Sequence, residues 1–181
     1  MGRKARLKRE SKSTDDKIDS GRFSYEKWPL LLFLFVMIFA LGVGLRIHNL
    51  GNVRGRSPDE GVYTYQANAV VQYGPVEGIR KLVDRYNADE RQWIYPPPTR
   101  VAYVWTLAFF MKMTNRVDTG QGAYVSCFFS IISLLILIAL GLRFFNHWIT
   151  LYALLFMSVS PLALAIARRT WQDAMLGCVG L

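Results

Sequence analysis

The stretch AYVSCFFSIISLLILIALGL, residues 123–142, holds twenty residues and no charge. A helix at the surface of a soluble protein keeps a charged or polar face, and this run has no charged one. A bilayer core is roughly 30 Å thick and a helix rises about 1.5 Å per residue, so twenty residues suffice to cross. In lipid the backbone must satisfy its own hydrogen bonds, which makes helix the default conformation.

Two further runs read the same way. Residues 28–45 and residues 148–167 are also free of Asp, Glu, Lys and Arg. Trp28 and Trp148 stand at span ends, where aromatic rings favour the membrane interface. Pro161 lies inside the third run and predicts a kink there. Across all 181 residues, 52% are hydrophobic and 19% charged, with 22 Lys plus Arg against 13 Asp plus Glu and a net charge of +9. This segregation excludes a soluble globular domain, a disordered tail and a disulfide scaffold. The expected fold class is all-α: a polytopic helical membrane protein with three complete spanning helices and the start of a fourth. A long helical extracytoplasmic first loop completes it.

Residues 101–113 are shorter, and Lys112 lies near their end. Apolar segments of about 10–14 residues are more often interfacial, re-entrant or buried than spanning. Length and Lys112 favour a non-spanning segment. Residues 123–142 then run from outside to inside, and 143–147 form a short cytoplasmic turn. Residues 148–167 return, and 168–173 make a second outer loop. If 101–113 spans instead, Asp173 falls on the cytoplasmic side.

The basic tail, residues 1–27, carries nine Lys and Arg against five acids. Positive-inside bias places it in the cytoplasm. It is too long for the n-region of a cleaved signal, so the first span reads as a signal anchor. A solvated topogenic tail facing membrane lipid accounts for its charge better than nucleic-acid binding, so no nucleic-acid partner is expected. Residues 46–122 then begin outside. Cys127 and Cys178 lie in apolar stretches and offer no metal spacing. Residues 174–181 open a fresh apolar stretch, and the chain reads as the front of a longer polytopic protein.

The chemistry-bearing residues lie between the spans. Ser57-Pro58-Asp59-Glu60 combines an N-cap Ser, Pro at the first helical position and Glu at the third, which is a capping box. Val62, Tyr65, Ala69, Val70 and Tyr73 continue at helical spacing until Gly74-Pro75. Capping and the helix dipole by themselves account for Glu60 and Asp59. Asp59 and Tyr63 share a helix face. Residues 76–86 read as an amphipathic surface helix, and Tyr95-Pro96-Pro97-Pro98 as a rigid extended element. Arg168 and Arg169 end the third span, with Asp173 close behind; such arginines suit a lipid phosphate or plain interfacial anchoring.

In this order and spacing, Asp59-Glu60-x-x-Tyr63, Tyr95-Pro96-Pro97, the basic turn Arg143-Phe144-Phe145, Ser160-Pro161, Arg168-Arg169 and Asp173 resemble the membrane glycosyltransferases of the GT-C class. The nearer resemblance is to the family of protein O-mannosyltransferases and lipid A aminoarabinose transferases. It covers residues 28–181. The chain departs from the family pattern at Pro98, where leucine is common, and at the start of the second span, where the family often has an arginine.

The resemblance implies a polyprenyl-phosphate sugar donor and a lipid, glycan or protein acceptor hydroxyl. It makes Asp59 the catalytic base, and Glu60, Tyr63, Arg168, Arg169 and Asp173 substrate-binding residues. A carboxylate accepts the hydroxyl proton in the transition state, and arginine stabilises a leaving phosphate. A divalent cation held by Asp59, Glu60 or Asp173 is compatible with the sequence but not required by it. A bacterial inner membrane is the expected location. The alternative is a non-catalytic membrane anchor or assembly subunit. A transporter would call for charge inside the spans, and a lipid phosphatase for His and Arg clusters in the outer loops.

Overall fold

In a computed structural model, residues 28–52, 57–95 and 97–181 are described. The basic tail 1–27 and Pro96 lie outside them. Contacts divide the chain into two units, Met1–Leu34 and Phe35–Leu181. Of the first unit only the opening turns of α1 are described.

The described residues form helices and connecting turns, with no strand. Helix α1 spans Trp28–Ile47 and a 3-10 turn follows at Leu50–Asn52. Then come α2 (Pro58–Tyr73), α3 (Pro75–Ala88) and a 3-10 turn at Glu90–Ile94. Helices α4 (Val101–Thr114) and α5 (Thr119–Phe144) follow. Helices α6 (His147–Val159), α7 (Pro161–Ala167) and α8 (Asp173–Gly180) complete the order.

Helices α1 and α5 are long and apolar enough to cross a membrane, and α6 with α7 make a third candidate if the bent pair is one span. The third run is broken at Ser160–Pro161 by 61°. Pro161 has no N–H, and Ser160 restarts the backbone by accepting from Ala163 N at 3.4 Å. Helix α5 begins before residue 123, because Asp118 accepts from Gly120 N and Gln121 N. That cap is a local backbone matter, which hydropathy does not register.

Gly74 separates α2 from α3 at φ 89°, a conformation open to glycine and strained for other residues. The two helices fold back closely. A β-carbon on Gly78 would stand 2.7 Å from the Val70 Cα and 2.8 Å from the Ala69 carbonyl. Helix α4 packs against α2 and α5 rather than lying free. Its Val104 and Leu107 are fully buried in a core with Tyr63, Ala67 and Val70 of α2 and Val125 of α5.

Small residues bring the apolar helices together as well. A β-carbon on Gly42 of α1 would meet Ser158 Oγ at 2.5 Å, and one on Gly141 would meet Thr150 Cγ2 at 2.5 Å. Close approach of this kind builds dispersion contact where no hydrophobic force exists between helices in lipid.

Candidate functional site

The first turn of α2 and the turn before α8 meet. Glu60 fulfils its half of the capping box, its Oε1 accepting from Ser57 N at 3.1 Å. The same oxygen lies 3.5 Å from Arg169 Nη1, with the Glu60 side chain 4% exposed and that of Arg169 25%. Arg169 also stands 5.5 Å from the Trp171 ring.

Residues 168–172 are held in place by α5. Thr170 is fully buried and its hydroxyl donates to Thr119 O at 2.8 Å. Ser126 Oγ donates to Trp171 O at 2.9 Å. Gly122 makes room for this turn, since a β-carbon there would stand 2.0 Å from Thr170 Cγ2. Arg168 Nη2 donates to His48 O at 2.8 Å, while its buried Nε has no partner among the described residues.

The six singled-out residues are therefore placed unequally. Glu60 and Arg169 are paired. Asp59, one residue earlier on the same turn, is half-buried and has no ion pair or hydrogen bond among the described residues. Tyr63 sits in the core, 1% exposed, edge-on to Tyr103 at 5.4 Å between ring centroids. Its hydroxyl is buried without a partner among the described residues. The Arg100 guanidinium stands 5.3 Å from the Tyr63 ring. Asp173 is exposed in the first turn of α8.

Tyr103 ties these groups together electrostatically. Burial pushes its phenol well above the ordinary range, and the nearby Ser126 hydroxyl pulls it part-way back, though the phenol oxygen has no hydrogen-bond partner among the described residues. The Glu60 and Asp173 carboxylates raise it further. The hydroxyl therefore stays protonated within the core.

Among the described residues no three His, Cys, Asp or Glu side chains gather as a metal-binding group. Asp59, Glu60 and Asp173 do not supply such a set.

A second polar centre lies at the helix break. Arg46, next to the end of α1, is fully buried. Its Nε donates to Ser130 Oγ at 2.8 Å and its Nη1 to Gly42 O at 2.9 Å. Its Nη2 donates to Met157 O at 3.0 Å, and Nη1 also reaches Ser158 O at 3.4 Å. The last carbonyls of α6 have lost helical donors because Pro161 ends the ladder, and the guanidinium supplies substitutes. Sequence reading missed Arg46, which lies one residue beyond the apolar run. The available signal was a lone arginine one helical turn after Gly42. Arg100, Tyr103 and Ser126 were missed too, and only the folded chain brings them to the Glu60 region.

No family model, curated protein or solved structure matches this chain.

Proposed function

We propose that this chain forms part of an integral-membrane glycosyltransferase that moves a sugar from a polyprenyl-phosphate donor to an acceptor hydroxyl. On this reading the N-terminus is cytoplasmic, the connection 46–122 is extracytoplasmic and the membrane is a bacterial inner membrane. The observation that carries it is the 3.5 Å approach of Arg169 to Glu60. It draws together two sequence groups, Asp59-Glu60 and Arg168-Arg169, that a one-site transfer requires near each other.

In the proposed reaction the acceptor oxygen attacks the anomeric carbon. The bond from that carbon to the phosphate oxygen breaks, and its electron pair leaves with the lipid phosphate. The acceptor proton passes to Asp59, whose carboxylate has no competing partner among the described residues. Arg168 and Arg169 stabilise the charge on the departing phosphate. Attack from the face opposite the phosphate inverts the anomeric configuration. Glu60 serves in positioning, because it already holds both the α2 cap and Arg169.

The test is transfer from a radiolabelled polyprenyl-phosphate sugar in membranes carrying the full protein. Asp59→Asn is expected to abolish transfer while leaving the protein inserted. Undiminished transfer removes Asp59 from the mechanism, and absence of transfer by the unaltered protein favours a non-catalytic anchor or assembly subunit.

A further inference from the structure

Helices α2 and α3 and the segment before α4 line an open cavity of about 420 Å³, which reaches Pro58 and Gly61 on either side of Asp59-Glu60. Its walls include three tyrosines from three elements: Tyr65 of α2, Tyr86 of α3 and Tyr95 beyond the 3-10 turn. Leu82 contributes a buried apolar patch, and Arg85 and Gln92 contribute polar groups. No Asp or Glu is among the residues that line it.

These walls are held in position. The Arg85 guanidinium donates to the Tyr65 hydroxyl and stands 5.6 Å from that ring, linking α3 to α2. Trp93 Nε1 donates to Tyr86 O at 3.0 Å, fixing the 3-10 turn against α3. Tyr65 and Tyr95 remain 47% and 44% exposed, so their rings are accessible.

Pockets of roughly 300–1,000 Å³ lined by aromatic rings with a few placed polar groups are those that take small ligands. The mixture here is specific. Phenol rings offer apolar faces with polar tips, suited to a molecule with a C–H face and a hydroxyl rim. Gln92 offers both an amide donor and an acceptor, and Arg85 donors only. The absence of lining acids disfavours a cationic ligand. A purely apolar ligand would leave the guanidinium and amide desolvated without partners.

We infer that this cavity is a saccharide-binding site, in which a sugar ring stacks on Tyr86 or Tyr95 and its hydroxyls meet Gln92 and Arg85. The site would hold sugar whether or not the chain transfers one. If the transferase reading is right, its occupant is the sugar moiety of the acceptor.

The experiment is saturation-transfer difference NMR on the full chain in a zwitterionic detergent, since alkyl-glycoside detergents would compete. The probes are the methyl glycosides of a hexose, an N-acetylhexosamine and a hexuronate. At least one is expected to show transfer to its ring C–H protons. Tyr95→Ala and, separately, Gln92→Ala are expected to weaken that binding by about tenfold, equivalent to about 1.4 kcal/mol. Both positions lie outside the packed core, and Gln92→Ala keeps the inference testable if the tyrosine change perturbs folding. Binding is read on the unaltered chain, apart from any transfer. A failure of transfer with binding intact thus counts against the transferase reading alone. No signal from any of the three glycosides overturns the saccharide site. So does a signal that neither Tyr95→Ala nor Gln92→Ala diminishes.

Discussion

Arg169 Nη1 stands 3.5 Å from Glu60 Oε1, joining two turns 109 residues apart in the chain. The carboxylate is nearly closed to solvent while the guanidinium is a quarter exposed, so removing the cation strands a buried charge. Because Arg169 is partly solvated, the loss is discounted from that of a fully buried pair, to about 1–2 kcal/mol. Glu60→Gln keeps an oxygen for the Ser57 N–H and is expected to cost less than Arg169→Ala. A double-mutant cycle on thermal stability is expected to return a coupling of about 0.5–1.5 kcal/mol. Additive effects would show that the approach contributes nothing.

Asp59 and Glu60 are neighbours with separate expected behaviour. Asp59→Asn is expected to lower transfer by at least about 100-fold, the usual scale for a general base, with thermal stability unchanged. Glu60→Ala is expected to lower stability and transfer together, because it removes the α2 cap and releases Arg169. Transfer rate and melting temperature measured on one set of membranes separate these two patterns.

Arg46 is expected to govern stability of the bent segment. Arg46→Ala removes donors from Gly42 O, Met157 O and Ser158 O and leaves Ser130 Oγ without its guanidinium partner. A loss of about 3 kcal/mol is expected, against about 1 kcal/mol for Ser130→Ala. Melting in detergent measures both, and equal small effects would mean that water replaces the guanidinium.

Two glycines predict opposite remedies. At Gly78 an added methyl meets backbone of α2, which has no rotamer to change, so Gly78→Ala is expected to separate the α2–α3 pair at a cost of about 1–3 kcal/mol. At Gly122 the obstacle is the Thr170 side chain. Gly122→Ala is expected to displace the Arg168–Asp173 turn, and adding Thr170→Gly is expected to recover part of the loss. Limited proteolysis and melting of the single and double variants test both.

Much of the local architecture was legible. Hydropathy marked α1 and α5, and Ser57-Pro58 and Gly74-Pro75 marked the ends of α2. The boundaries moved where a cap extended a helix past its apolar run, as Asp118 does for α5. The bend at Ser160–Pro161 was expected from proline, while its 61° was not. Of the candidate site, Glu60, Arg168 and Arg169 were named from sequence. Tyr63 proved to be a core residue as well as a member of the motif, and Arg46, Arg100 and Tyr103 escaped notice.

The sequence by itself determined which segments are helical and apolar, since hydropathy, caps and proline act within a few residues of where they stand. Tertiary structure alone decided that Arg169 meets Glu60, that Arg46 reaches the carbonyls of α6 and that Tyr65, Tyr86 and Tyr95 surround one cavity. Those relationships arise from the packing of glycine-lined helix faces and from satisfying buried polar groups. Both depend on partners tens of residues away, and no local pattern encodes them.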